Sequence, residues 1–128
     1  MPSTGFAGRI RHLLVVEDSA IIAMDLEMSL EELGLDRITV ASDAARAIAA
    51  IEAGDIDAAL VDFLLSAGDG RVVAGRLTDL GIPFAIMTGL GDLDWLRDQL
   101  PGVGILTKPF SNEELVKTLE KLCRDRGG

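Results

Sequence analysis

Four places in the chain carry a chemically reactive side chain at the end of a short apolar run. These residues are Glu17 and Asp18 after the first run, Asp62 near the end of a second, Thr88 at the end of a third and Lys108 after a fourth. Carboxylates that lie close together repel one another, and a hard divalent cation such as Mg²⁺ relieves that repulsion through oxygen ligands. A carboxylate nucleophile, a metal ion, a lysine and a hydroxyl are together suited to phosphoryl transfer, in which positioning and charge stabilisation provide most of the catalysis.

A scaffold of alternating strands and helices could bring these four places together. Short apolar runs predict five strands, at His12–Glu17, Arg37–Ala41, Ala58–Phe63, Phe84–Thr88 and Gly104–Thr107. Helical spacing and cap residues predict a helix after each strand, the fourth over Asp92–Leu100 and the last after the capping box Ser111 and Glu114. Short connections between parallel strands require right-handed crossovers with helices on both faces, so the pattern predicts an α/β fold with a doubly wound parallel sheet of five strands.

Composition limits the class of protein. The 128 residues, 48% of them hydrophobic, suffice for a single domain, which we predict to span 1–128 with its core at about 11–124. No apolar run is long enough to cross a membrane, the N-terminus lacks a secretory pattern, and Cys123 is the only cysteine, so a cytoplasmic protein is expected. The net charge of −9 argues against nonspecific nucleic-acid binding, which needs a basic surface.

The segments around these residues resemble the motifs of response-regulator receiver domains in bacterial two-component signalling, the CheY-like domains. The resemblance rests on Val15-Val16-Glu17-Asp18-Ser19, on Leu60-Val61-Asp62-Phe63 followed by Asp69-Gly70, on Met87-Thr88-Gly89 and on Lys108-Pro109-Phe110. Each motif alone is weak, but all four occur in the family's order between about Arg11 and Arg124. The resemblance implies a flavodoxin-like (βα)5 fold with strand order 2-1-3-4-5, which would bring the four motifs to one edge of the sheet.

The resemblance also implies a role for each residue. Asp62 would be the phosphoacceptor, with phosphohistidine on a sensor histidine kinase or a phosphotransfer protein as the donor. Thr88 and Lys108 would contact the phosphoryl group. Mg²⁺ would bind to Glu17, Asp18, Asp62 and the backbone carbonyl of Leu64. The chain is expected to be a stand-alone signalling phosphoacceptor that acts through protein contact or in a phosphorelay, with no enzymatic activity beyond its own phosphorylation and dephosphorylation.

One position departs from the family pattern. Receiver domains usually carry an aromatic switch residue three positions before the lysine, where this chain has Ile105. The segment Pro83–Leu90 is similar to an atypical alphaproteobacterial subgroup that lacks this aromatic residue. A receiver-like binding module that works without phosphorylation is therefore the alternative hypothesis. An aspartyl phosphatase is disfavoured, because such enzymes generally have a second acid where this chain has Leu64.

Two further expectations concern residues outside the predicted site. His12 is expected to be an exposed flank of the first strand. On the first helix, Ile22, Leu26, Leu30 and Leu33 recur at helical spacing and are expected to face the core. The acids of that helix are expected to form a solvated face, which resembles the usual kinase-docking surface of the family.

Overall fold

Strands and helices alternate along the whole described chain. The computed structural model describes residues 10–35, 37–63, 70–89, 93–99 and 102–127. The strands are β1 His12–Val16, β2 Arg37–Ala41, β3 Ala58–Asp62, β4 Phe84–Thr88 and β5 Gly104–Thr107. The helices are α1 Ala20–Glu32, α2 Ala44–Glu52, α3 Gly70–Leu80, α4 Leu93–Gln99 and α5 Asn112–Gly127. Every predicted strand and helix is present in these ranges.

The five strands form one parallel sheet with the order β2-β1-β3-β4-β5. The fold class and strand order predicted from the sequence are confirmed. The pairing register places Asp62 beside Met87 and Thr88 beside Thr107. The carboxyl ends of β3, β4 and β5 therefore lie next to one another, and β1 joins them through its pairing with β3.

Apolar side chains fill the space on both faces of the sheet. All residues of β1, β3 and β4 are buried, as expected for parallel strands that are covered by helices on both sides. The helices bury the remaining core residues: Leu26, Leu30, Leu115, Leu119 and Leu122 on the face of α1 and α5, and Ala47, Ile51, Val73, Leu77 and Leu96 on the face of α2, α3 and α4. Within the described ranges, no helix has both the length and the apolar character needed to cross a bilayer.

Polar side chains fix where two of the helices begin. The hydroxyl of Ser19 accepts a hydrogen bond from the backbone N–H of Ile22, so α1 starts directly after the first acidic motif. The predicted capping box is present at the start of α5. The backbone N–H of Glu114 donates to the hydroxyl of Ser111, and the Glu114 carboxylate accepts from the Ser111 N–H. These caps hold the loops after β1 and β5 at the same edge of the sheet.

His12 is buried, so its prediction as an exposed flank is wrong. Its Nε2 lies 2.6 Å from the hydroxyl oxygen of Thr39 on the neighbouring strand β2. The Asp57 carboxylate accepts hydrogen bonds from the backbone N–H groups of Arg11 and His12, at 2.8 and 3.1 Å. Both partners are far from His12 in sequence, which explains why the local pattern did not indicate its burial.

The surroundings of the His12 ring favour its neutral form. Burial lowers the pKa of His12, and the charge of Arg37 lowers it further. The opposing effects of Asp55 and Asp57 do not restore the usual value. His12 and its partners therefore form a cross-strand link at the amino ends of the strands, opposite the edge that carries the predicted site.

Candidate functional site

The carboxyl ends of four strands position the predicted site residues. Asp62 is the last residue of β3 and Thr88 the last of β4, while Glu17 directly follows β1 and Lys108 directly follows β5. Ligand sites in doubly wound sheets lie beyond these strand ends. Glu17 is 2% exposed and Asp62 4% exposed, whereas Asp18 is exposed to solvent. The edge therefore has two buried carboxylates and a third at its surface.

Lys108 contacts both buried carboxylates. Its Nζ lies 3.2 Å from Oε1 of Glu17 and 3.3 Å from Oδ2 of Asp62. The backbone N–H of Lys108 donates to the backbone carbonyl of Thr88 at 2.7 Å, and the Lys108–Pro109 peptide bond is cis. The main chain around the lysine is therefore attached to the end of β4, while its charged group reaches across to β1 and β3.

The pKa shifts follow from this crowding of charges. Burial raises the pKa of Glu17, and the hydrogen bond with Asp62 raises it further, against the opposing effects of the Ser19 N–H and Lys108. Burial alone would lower the pKa of Lys108, but the carboxylates of Asp62 and Glu17 outweigh it and raise the pKa above its usual value. Lys108 is therefore a permanent cation, and its single charge only partly compensates the acids around it.

Glu17, Asp18 and Asp62 fit a divalent cation. Each offers one carboxylate oxygen, and these oxygens all lie within 4.8 Å of one another. Across the described residues, no other group of three such side chains is arranged in this way. Hard cations such as Mg²⁺ prefer carboxylate oxygens and retain several water ligands, so an open acidic group at the surface suits them. Leu64, whose backbone carbonyl is the fourth predicted ligand, and Asp69 lie outside the described residues.

Thr88 has a buried hydroxyl that lacks a partner. The residue is fully buried, and its Oγ1 makes no hydrogen bond with any of the described residues. Its neighbour Met87 is the register partner of Asp62. A buried hydroxyl without a partner is unfavourable, and it is available to donate to a group that arrives at this edge of the sheet.

Ile105 packs against the hydrophobic core. It lies opposite Ile86 in the pairing of β4 with β5, is half-buried and contacts the cluster that contains Ile86 and Leu96. An aliphatic side chain in this environment adds to the apolar packing on this face of the sheet. The position that carries the switch aromatic residue in most receiver domains is therefore a partly buried aliphatic residue in this chain.

An exposed apolar strip on α1 was not predicted from the sequence. Ile21, Met24 and Met28 are 81%, 59% and 57% exposed, and their spacing puts them on one face, opposite the buried Ala23 and Leu26. Ile22, predicted to face the core, is also exposed in large part. Apolar residues at positions 21, 24 and 28 have the spacing of a second apolar face, which was the signal available in the sequence.

A groove separates α1 from the start of α5. It has a volume of about 430 Å³, and its apolar floor includes Ile22, Leu26, Phe110 and Leu115. The groove is also lined by Lys108, the residue whose Nζ contacts Glu17 and Asp62. The apolar strip and the groove therefore both lie along α1, with Ile22 and Leu26 lining the groove and Met24 lining a second pocket that includes Glu17 and Asp18.

Comparison with known proteins identifies the family. Residues 13–120 match the response regulator receiver domain family, and the chain belongs to this family. It is therefore a receiver domain of two-component signalling, a class of domain that accepts phosphoryl groups. The resemblance to receiver domains, which was based on the four motifs, is confirmed.

Relatives and solved structures agree with this assignment. The chain is 35% identical over 119 residues to the transcriptional regulatory protein TcrA of Mycobacterium tuberculosis, which covers 88% of this chain and 46% of TcrA. It is 36% identical to SdrG from Sphingomonas melonis Fr1, with a TM-score of 0.76 over 89% of this chain and 97% of SdrG. A response regulator receiver protein from Sinorhizobium medicae WSM419 is 30% identical, with a TM-score of 0.79 over 91% of this chain and 97% of that protein. The chain thus spans about half the length of TcrA and nearly all of the two receiver structures.

Proposed function

We propose that this receiver domain accepts a phosphoryl group on Asp62 in a reaction that requires Mg²⁺. The observation that carries the proposal is the pair of buried carboxylates, Glu17 and Asp62, held beside the ammonium group of Lys108. Two buried acids this close are costly without a compensating cation. A chemical role therefore explains better than a contribution to stability why these two acids lie at the ends of buried strands.

The proposed reaction follows from the positions of these groups. One carboxylate oxygen of Asp62 forms a bond to phosphorus while the phosphorus–nitrogen bond of a donor phosphohistidine breaks and its electron pair returns to the imidazole. Lys108, 3.3 Å from Asp62, is placed to neutralise charge on the phosphoryl oxygens. Thr88 supplies the buried hydroxyl that can donate to one of those oxygens. Glu17, Asp18 and Asp62 would hold Mg²⁺, which when bound screens the charge between the carboxylates and the incoming phosphoryl group.

The proposed donor is a sensor histidine kinase or a histidine phosphotransfer protein, and α1 is its proposed docking surface. The apolar strip Ile21, Met24 and Met28 is large enough to pack against a helix of a partner. The groove beside it is lined by Lys108, so a donor bound there would be near Asp62. Methionine side chains adapt their shape to a partner at little cost, which suits a transient contact.

After phosphorylation, output is proposed to occur through contact with another protein or through further phosphotransfer in a relay, in the cytoplasm. The net charge of −9 disfavours direct binding to nucleic acid by this domain. The domain is proposed to act as a phosphoacceptor whose chemistry is confined to its own phosphorylation and dephosphorylation.

The experiment that tests the proposal is intact-mass spectrometry after incubation with a small-molecule phosphodonor. The wild type and Asp62→Asn would be compared with and without Mg²⁺. We expect one phosphate adduct on the wild type, dependent on Mg²⁺, and none on Asp62→Asn, which keeps the shape of the side chain but removes the nucleophilic charge. An equal adduct on both proteins would place the acceptor at another residue.

Ile105 supports one alternative function. Because position 105 is isoleucine, this chain has no aromatic side chain there to report phosphorylation to the surface. A binding module that acts without phosphorylation would use the same α1 surface. The two hypotheses differ in one measurement: addition of beryllofluoride, a mimic of the phosphoryl group, shifts the NMR spectrum around Thr88 and Lys108 only if the site responds to phosphorylation.

A further inference from the structure

The first turn of α3 makes an unusually close contact with the strand that carries Asp62. A Cβ atom placed on Gly70 would lie 2.7 Å from the carbonyl oxygen of Phe63 and 2.9 Å from that of Asp62. It would also lie 3.0 Å from the Cα of Phe63. Contacts of this kind with backbone atoms cannot be relieved by a change of rotamer, so only glycine fits without movement of α3 or of the end of β3.

Position 70 requires glycine because of the limited space around it, and not because of its backbone conformation. Among the described residues, the glycines with positive φ are Gly34, Gly54, Gly81 and Gly102, and Gly70 is not one of them. Gly75 lies five residues further along the same helix, and a Cβ atom on it would meet nothing within 4 Å. Of the two glycines of α3, only the buried Gly70 lies close to the backbone at the end of the acceptor strand, whereas Gly75 is exposed.

The residue after Asp62 is held from several directions. The backbone N–H of Phe63 donates to the carbonyl of Met87 at 2.9 Å, which attaches this peptide to β4. The Phe63 ring is buried, and the guanidinium carbon of Arg71 lies 5.7 Å from the ring centroid. This geometry is that of a cation–π contact, formed by the residue next to Gly70.

We propose that Gly70 is a positioning residue for phosphoryl transfer. Because it lacks a side chain, the first turn of α3 packs directly on the carbonyl oxygens of Asp62 and Phe63, and this contact fixes the backbone from which the acceptor carboxylate extends. Arg71 reinforces the contact through the ring of Phe63. The inference rests on the proposed role of Asp62 and adds the element that holds Asp62 in line with Lys108.

The size of the expected effect follows from the distances. Ordinary contact of a Cβ atom begins at 3.4 Å, so a methyl group at 2.7 Å from Phe63 O requires a displacement of about 0.7 Å. Misplacement of a reacting group by about 1 Å can reduce a rate by about a hundredfold. For Gly70→Ala we expect phosphorylation by a small-molecule phosphodonor to slow by about tenfold at saturating Mg²⁺.

The experiment compares Gly70→Ala with the matched control Gly75→Ala. Both substitutions add one methyl group to α3, and both proteins would be assayed for phosphorylation rate, for Mg²⁺ affinity by titration and for thermal stability. We expect Gly75→Ala to phosphorylate as the wild type does and Gly70→Ala to be slower while fully folded at the assay temperature. A purely structural role would lower the melting temperature of Gly70→Ala and leave the phosphorylation rate of the folded protein unchanged, which would overturn the inference.

Arg71 provides a second test that does not depend on the folding of Gly70→Ala. Arg71 is exposed, and Arg71→Ala is expected to slow phosphorylation by about two- to fivefold, with recovery in Arg71→Lys, which keeps a cation near the ring. An unchanged rate in Arg71→Ala would contradict the inference if Gly70→Ala does not fold. Failure of the proposed function can be distinguished from failure of this inference, because the wild type itself would then carry no Mg²⁺-dependent phosphate adduct.

Discussion

Replacement of Thr88 by valine is expected to stabilise the unphosphorylated protein and weaken its response to phosphorylation. Valine has nearly the shape of threonine and lacks the hydroxyl. In the wild type this hydroxyl is fully buried and makes no hydrogen bond with the described residues. The substitution therefore removes an unfavourable group from the interior and, at the same time, the donor that the proposed site offers to a phosphoryl oxygen.

The burial of the Thr88 hydroxyl determines how large the change in stability should be. A buried polar group without a partner costs about 1–3 kcal/mol, so Thr88→Val should raise the free energy of unfolding by about 1–2 kcal/mol. For a domain of this size, that corresponds to an increase in melting temperature of roughly 3–8 °C. A hydrogen bond to a charged group contributes about 1.5–3 kcal/mol, so the stabilisation by a phosphoryl mimic should be smaller in the variant by a similar amount.

Thermal denaturation followed by circular dichroism measures both effects. The wild type and Thr88→Val would be compared in Mg²⁺ alone and in Mg²⁺ with beryllofluoride. Thr39→Val is the matched control, because the hydroxyl of Thr39 lies 2.6 Å from His12 Nε2 and its removal leaves a buried ring nitrogen unpaired. Thr39→Val should therefore lose about 1–3 kcal/mol and respond to beryllofluoride as the wild type does.

Two results would refute this reasoning. If Thr88→Val is less stable than the wild type, the hydroxyl has a favourable partner in the unphosphorylated protein and is not available as described. If Thr88→Val gains as much stability from beryllofluoride as the wild type, the hydroxyl does not contact the phosphoryl group. The first result concerns the resting structure and the second concerns the proposed function.

Three further predictions concern other parts of the molecule. The pKa of His12 is lowered in the folded protein, so as the pH falls below 6.5 the unfolded chain takes up a proton at His12 before the folded protein does, and the free energy of unfolding decreases over that range. Urea unfolding at several pH values should show a weaker decrease of this free energy in His12→Gln than in the wild type. An equal decrease in the two proteins would contradict this. Met24→Ala should slow phosphotransfer from a histidine kinase that phosphorylates the wild type but leave the small-molecule reaction unchanged, whereas the exposed Val72 on α3 should tolerate alanine in both assays. Asp18→Ala should weaken Mg²⁺ binding in a fluorescence or calorimetric titration, and an unchanged affinity would mean that the metal binds elsewhere.

Local patterns were sufficient to predict the order of the elements. The strands β2, β4 and β5 have the predicted bounds, because each is a short run of branched or apolar residues between turn-forming residues. The predicted first and third strands each end one residue earlier in the structure, since Glu17 and Phe63 already belong to the connections. The convergence of Glu17, Asp62 and Lys108 was also predictable, because parallel strands in the confirmed order place their carboxyl ends together.

Features that depend on distant contacts were not predictable. The burial of His12 depends on Thr39 and on the Asp57 carboxylate, and neither is near it in sequence. The close approach at Gly70 depends on the path of the backbone at the end of β3, and the sequence identified Gly70 only as part of a family motif. The exposure of Ile22 arises because α1 lies on the sheet through Ala23, Leu26 and Leu30, a rotation that helical spacing alone left open.

The link between His12, Thr39 and Asp57 stabilises the fold at one end of the sheet, whereas the opposite end carries the candidate site. At the amino ends, the Asp57 carboxylate pairs with backbone amides and His12 Nε2 pairs with the Thr39 hydroxyl, so substitutions there should change how much folded protein a cell retains. At the carboxyl ends, buried acids and the Thr88 hydroxyl remain incompletely compensated, so substitutions there can increase abundance while signalling is lost. A saturation mutagenesis screen that scores abundance and signalling separately should therefore divide the buried and half-buried polar residues by the end of the sheet at which they lie, with His12 and Asp57 at one end and Glu17, Asp62 and Thr88 at the other.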